Sequence, residues 1–263
     1  MPLNFFSTFR SGPVTRNGTE KRDYLFGTRD DDILNGFGGN DFFFARRGKD
    51  TDNMGEGDDI AFLGRGDDIA KIGSGNDTVF GGRGFDTVIA DGSVEDYLVA
   101  TVGSRFWKHT ELKKVAEDGT VLEVNKLYSV NAVQFDDFAL FLDGRNNNAI
   151  ARDDIAATDE DTALLINASA LLANDKDLDG DEITVVSVSG TSAKGGVVAL
   201  VDGVITYDPN GQFENLNDGD EATDTFSYTI DDGKGGTDTA TVTVKITGVT
   251  AAPDVTARIN DFH

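Results

Sequence analysis

The sequence predicts an all-β chain of two unlike parts, a repetitive solenoid followed by a β-sandwich. Two observations carry that prediction. From Gly27 to Ile89 the chain divides into seven gapless nine-residue units: GTRDDDILN, GFGGNDFFF, ARRGKDTDN, MGEGDDIAF, LGRGDDIAK, IGSGNDTVF and GGRGFDTVI. Beyond Asn148 it changes to short runs in which polar and apolar residues alternate with period two. A fixed period of this kind signals stacked units, each burying the face of its neighbour.

The sixth position of every unit is aspartate: Asp32, Asp41, Asp50, Asp59, Asp68, Asp77 and Asp86. The fourth is glycine except in the first unit, where Asp30 stands. Residues 18–26, GTEKRDYLF, read as a worn unit ahead of these, with Asp23 at the sixth position. The pattern resembles the RTX calcium-binding nonapeptide, G-G-x-G-x-D-x-U-x, with U a large apolar residue. That resemblance implies a parallel β-roll over 18–92, two units to a coil, so that residues 18 apart stack at the ~4.8 Å strand spacing. Aspartates so close repel unless a cation lies between them, and carboxylate and carbonyl oxygens are the donors calcium takes. The pairs Asp32–Asp50, Asp50–Asp68 and Asp68–Asp86 on one side, and Asp41–Asp59, Asp59–Asp77 and Asp23–Asp41 on the other, give five or six expected calcium ions.

The eighth position is expected to fill the core. Leu34, Phe43, Val79 and Val88 suit it; Ala61 and Ala70 are small, and Asp52 is a charge, so an underpacked middle is predicted. Stacking by 18 also aligns Phe26, Phe44, Phe62 and Phe80 as an outward ladder, which the N-terminal arm (1–17) or the capping segment is expected to cover. It aligns Arg29, Arg47, Arg65 and Arg83 as well, expected to offset acids such as Asp31, Asp58 and Asp67, or else to hold anionic sugars.

Residues 93–145 lose the nine-residue phase, as expected of a segment closing an open solenoid end. Strands are predicted near Asp96–Val102, Val121–Val124 and Val133–Leu142, and SVNAVQFDDFALFL resembles the capping element that follows many RTX arrays. Trp107-Lys108-His109 reads as a loop or strand edge without a role. Gly144–Asn148 is a turn-rich linker.

Residues 146–250 hold seven predicted short strands, enough for an antiparallel sandwich: Ile155–Thr158, Ala163–Ile166, Ile183–Val188, Val197–Leu200, Val204–Tyr207, Thr225–Ile230 and Ala240–Thr247. The segments DEDTALLINASALLANDKDLDGDEITV and DTFSYTIDDGKGGTDTATVTVKI resemble the cadherin-like, Ig-like repeats of bacterial surface proteins. Asp175, Asp177, Asp179 and Asp181 alternate along one loop and are expected to hold one or two calcium ions. The loop is not an EF-hand, since Val186 stands where the bidentate glutamate belongs. Resemblance to the cadherin-like domains adds Glu160 and the Asp231–Asp232 pair as expected ligands. Residues 251–263 read as a tail or linker.

The 263 residues carry a net charge of −24 and no cysteine. That excess argues against nucleic acid or anionic membrane as partner, and no stretch approaches the ~18 apolar residues of a membrane helix. Six to eight calcium ions would neutralise about half the charge. The N-terminus does not read as a secretory signal peptide, which agrees with the uncleaved C-terminal export signal that RTX resemblance implies, although the last stretch reads as sandwich strands. His109 and His263 lack catalytic or metal-binding spacing, and no nucleophile motif is present, so no enzyme is expected. The expected role is an extracellular calcium-binding module, secreted by the type I route, structural or adhesive at the cell surface. Its partners are calcium and a surface glycan or protein; the alternative is calcium-dependent binding of an anionic polyuronate.

Overall fold

The computed structural model describes residues 12–104 and 108–249. The chain forms two compact units, one ending at Arg145 and one starting at Asn146. Most of the predicted N-terminal arm and all of 251–263 lie outside the described residues, as does Trp107.

In the first unit each nonapeptide contributes one strand, and successive strands go alternately to two sheets. β1 (Thr15–Asn17), β3 (Ile33–Asn35), β5 (Thr51–Asn53), β7 (Ile69–Lys71) and β9 (Thr87–Ile89) form one; β2 (Tyr24–Phe26), β4 (Phe42–Arg47), β6 (Ile60–Arg65) and β8 (Thr78–Arg83) form the other. All are parallel and pair in steps of 18, as in Leu34↔Asp52↔Ala70↔Val88 and Phe44↔Phe62↔Phe80. This is the two-units-per-coil roll. β1 extends it one unit upstream of the repeats recognised in the sequence, since Thr15 pairs with Ile33 in the same register.

The middle of the roll is not underpacked. Met54, Leu63 and Ile72, at the first position of their units, are all buried. They bring volume where the eighth position supplies only Ala61 and Ala70, and the exchange runs the other way at Phe43. There the first position is Gly36, and a Cβ on Gly36 would stand 2.9 Å from the Phe43 ring. Interiors pack to near-crystal density, so large and small residues trade places between the two positions.

From residue 36 onward the turns leave no room for side chains at the fourth position. A Cβ on Gly66 would lie 1.6 Å from the carbonyl oxygen of Gly48, and the φ of +139° there is one that only glycine adopts readily.

After the roll, a single 3-10 turn (Val94–Asp96) leads into β10 (Tyr97–Val102), β11 (His109–Val115) and β12 (Val121–Tyr128). β12 pairs in parallel with β8 through Tyr128↔Phe80, then antiparallel with β11, which pairs with β10. β13 (Ala132–Gln134) continues the other sheet beside β9, and β14 (Ala139–Phe141) folds back on it. The predicted Val133–Leu142 strand is therefore a hairpin, broken at Asp136-Asp137. β11 was not predicted: of HTELKKV only Leu112 is buried, so its neighbours rather than its own apolar face define it.

The phenylalanine ladder is present as a stack with centroids 4.7–5.2 Å apart. The cap lengthens it instead of covering it: Tyr128 stacks on Phe80 at 4.7 Å and His109 on Tyr128 at 4.8 Å. Phe26 and Phe62 remain 44% and 39% exposed.

The second unit is a sandwich. One sheet holds β15 (Asp154–Asp159), β17 (Thr184–Val188), β20 (Glu221–Asp231) and β21 (Thr237–Thr247) in the order β15-β21-β20-β17. The other holds β16 (Leu164–Asn167), β18 (Val197–Val201) and β19 (Val204–Asp208) in the order β16-β19-β18. A one-turn helix, α1 (Ala168–Leu171), follows β16. The β20–β21 hairpin buries Phe226, Tyr228 and Ile230 against Val242, Val244 and Ile246, the alternation read from the sequence.

Candidate metal centre

In the roll, strand register places the sixth-position aspartates in two rows, Asp32–Asp50–Asp68–Asp86 and Asp23–Asp41–Asp59–Asp77. Each row is tied by one repeated hydrogen bond: the Oδ1 of an aspartate accepts the backbone N–H of the aspartate one coil earlier. The distance is 2.8 Å from Asp32 to Asp50, 2.8 Å from Asp50 to Asp68 and 3.2 Å from Asp68 to Asp86. In the other row it is 2.7 Å from Asp23 to Asp41, 2.6 Å from Asp41 to Asp59 and 3.0 Å from Asp59 to Asp77. Both rows end on asparagines of the cap. Asn125 Oδ1 accepts the N–H of Asp77 at 2.7 Å, and Asn131 Oδ1 that of Asp86 at 2.9 Å. Sequence reasoning missed Asn125, which lies 48 residues from its partner with no repeat phase to mark it.

The second oxygen is left over. Oδ2 of Asp41, Asp50, Asp59, Asp68, Asp77 and Asp86 is buried and has no hydrogen-bond partner. A buried carboxylate oxygen without a donor is unfavourable, and burial accordingly pushes these carboxyls up, only partly offset by the backbone N–H each accepts. Asp50 and Asp59 rise to about 7, Asp77 to about 8 and Asp86 to about 6, with Asp41 and Asp68 raised as well. Stacked hard anionic oxygens beside glycine turns rich in carbonyls are a donor set that suits calcium; they fit the cation without further rearrangement of chemistry. When bound, the cation supplies the positive charge the rows lack and draws successive coils together.

Asp52, in the core between the sheets, is fully buried, and neither of its oxygens has a partner. Burial first, then the Asp50, Asp68 and Asp32 charges, raise it well above the usual carboxylate range.

Among the described residues none of Arg29, Arg47, Arg65 and Arg83 forms an ion pair. Asp67 pairs with Lys49 at 3.6 Å, Asp31 accepts the Lys49 N–H, and Asp58 is held by Asn76.

In the sandwich the predicted ligands separate. Asp177, Asp179 and Asp181 do converge, with one oxygen of each within 4.8 Å of the others. Oδ2 of Asp177 and Asp181 is buried without a partner, while Lys234 forms an ion pair with Asp181. Asp175 instead accepts from the Tyr228 hydroxyl at 3.2 Å and the Arg152 N–H at 2.7 Å. Glu160 accepts the N–H of Val249 at 3.1 Å through Oε1, while its Oε2 is buried without a partner, and Asp231 caps the next turn through Gly233 at 2.6 Å. Asp232 accepts from Asn146 and from the Lys234 and Gly236 amides. Each of these four accepts hydrogen bonds of the sandwich framework, and the cluster of converging carboxylates consists of Asp177, Asp179 and Asp181.

Two rows of stacked carboxylates on glycine turns define the first unit as a cation-binding parallel β-roll. Residues 17–52, 55–88 and 71–93 match the RTX calcium-binding nonapeptide repeat (4 copies), and residues 146–248 match the bacterial cadherin-like domain. The chain thus carries calcium-binding RTX repeats followed by a cadherin-like domain, in the order the sequence predicts; such modules are typical of secreted or surface proteins. A comparison with curated proteins gives no match. Among the described residues no helix is long and apolar enough to cross a membrane.

Proposed function

We propose that this chain is an extracellular module whose roll is assembled by calcium, with a structural or adhesive role at the cell surface. The observation that carries the reading is the set of buried, unpartnered Oδ2 atoms in two stacked rows. Without cations the rows oppose folding, and with them they hold the coils together. A chain of net charge −24 stays expanded where calcium is scarce and compacts where it is plentiful. This suits export of an unfolded chain by type I secretion. Asp177, Asp179 and Asp181 provide a further calcium loop in the sandwich. Circular dichroism tests the reading: millimolar calcium should produce a large gain of β signal over chelated protein, and a chelated protein already fully folded would refute it.

The unpaired arginines favour a second reading, an anionic polysaccharide ligand. Arg47, Arg65 and Arg83 are in direct register on adjacent strands, so exposed guanidiniums repeat along the roll and suit a polymer carrying a carboxylate on each sugar. Retention on immobilised polyuronate, lost in the Arg47→Ala, Arg65→Ala double variant, would support it.

A further inference from the structure

The match to the calcium-binding repeat begins at residue 17, yet the first two units differ from the rest at the atoms that matter. Thr19 and Thr28 occupy their second position. The Thr19 N–H and hydroxyl donate to Asp23 Oδ2 at 2.6 and 2.8 Å. The Thr28 N–H donates to Asp32 Oδ2, and its hydroxyl to Asp32 Oδ1 at 3.2 Å. Asp32 Oδ1 also accepts the Val14 N–H at 2.7 Å, so both oxygens of Asp32 are satisfied.

The backbone differs in the same two units. Their fourth positions are Lys21 and Asp30, neither at positive φ, whereas Gly39, Gly48, Gly57, Gly66, Gly75 and Gly84 all have positive φ. The second position also turns to positive φ in five later units, at Phe37, Arg46, Gly55, Gly64 and Gly82. Phe37 and Arg46 adopt it against their own preference, so the open turn is imposed by the stack. At Thr19 and Thr28 it is absent.

We infer that Thr19 and Thr28 close the turns of units 18–26 and 27–35 in place of a cation, and that calcium binds only between the open turns of residues 36–89. Four stacked pairs then have a free oxygen on both members: Asp41–Asp59 and Asp59–Asp77 in one row, Asp50–Asp68 and Asp68–Asp86 in the other. The roll takes four calcium ions rather than five or six, and Asp23 and Asp32 leave the ligand set. The first coil is a metal-independent end on which the calcium-bound coils are built. This rests on the calcium reading of the roll.

The test is calcium stoichiometry of the full chain by isothermal titration, with Asp177→Asn and Asp179→Asn in every variant to silence the sandwich loop. The parent should bind four ions. Asp23→Asn and Asp32→Asn should also bind four, and Asp59→Asn, bordering two pairs, should bind two fewer. Opening the turn with Thr28→Gly plus Asp30→Gly should add one ion, between Asp32 and Asp50. Loss of an ion in Asp32→Asn, or no gain in the glycine double variant, overturns the inference while leaving calcium binding intact. A parent chain that binds no calcium overturns the calcium reading itself and this inference with it.

Discussion

Asn125 accepts the backbone N–H of Asp77 through its side-chain oxygen, in the position where a further aspartate of the row would stand. Each row thus ends on a neutral residue that keeps the acceptor and drops the charge, and Asn131 does the same for Asp86. Asn125 is nearly fully buried, so the bond is shielded from water. Asn125→Ala leaves the Asp77 amide without its acceptor and should cost about 1–3 kcal/mol. Urea denaturation in saturating calcium measures this. Asn125→Asp keeps the acceptor but adds a buried charge beside Asp77, so in saturating calcium it should lose less stability than Asn125→Ala; an equal loss in both variants would show that shape, not the acceptor, matters.

Proton binding should partly substitute for calcium. Burial raises Asp50, Asp59, Asp77 and Asp86 from 3.8 to between about 6 and about 8 in the folded, metal-free chain. The folded state therefore binds more protons than the unfolded one, and stability falls as pH rises. The stabilising contribution of the protonated groups is complete below about pH 4 and is lost as pH passes through the folded values. In chelator, the β signal in circular dichroism should be larger at pH 5 than at pH 8.5. Calcium added at pH 8 or below should restore it with release of protons into weak buffer. A chelated chain more folded at pH 8.5 than at pH 5 contradicts the assignment.

Much of this was legible because aspartate at a fixed phase is both rare and physically consequential. Asp41 to Asp86 could be placed in two rows once resemblance to the RTX repeat supplied two units to a coil. The core could not, because Met54, Leu63 and Ile72 stand at a position the repeat assigns to a turn glycine; their burial depends on what faces them across the roll. The closing of two turns by Thr19 and Thr28 was hidden too: Asp23 and Asp32 keep the right phase, and Lys21 and Asp30 at the fourth position show a departure from glycine without showing the hydrogen bonds that accompany it. In the sandwich, alternating acids could not reveal which carboxylates converge. Tyr228 draws Asp175 away from Asp177, and the tertiary fold alone brings that hydroxyl there.

Asp52 should be the residue that keeps the roll from folding without calcium. It stands in register between Leu34 and Ala70, where its neighbours in the row of eighth positions are apolar. Both of its buried oxygens lack partners, which is unfavourable, and valine removes them. Asp52→Val should therefore lower the calcium concentration at the folding midpoint, read by circular dichroism. An unchanged or raised midpoint would mean that Asp52 is compensated by a group not among its described neighbours.

Arg46 offers the opposite kind of test, on the backbone alone. Its φ of +84° lies in the left-handed region, which costs a side-chain-bearing residue about 1–2 kcal/mol. Glycine removes that cost but loses about 0.5–1 kcal/mol more to the entropy of the unfolded chain. The two terms differ by roughly 0.5–1 kcal/mol in favour of Arg46→Gly. The variant should be that much more stable to urea in saturating calcium, with its calcium stoichiometry unchanged. Arg46→Ala keeps the strained φ and should gain nothing. If alanine stabilises as much as glycine, the gain comes from removing a charge beside Arg47, and the turn itself carries no strain.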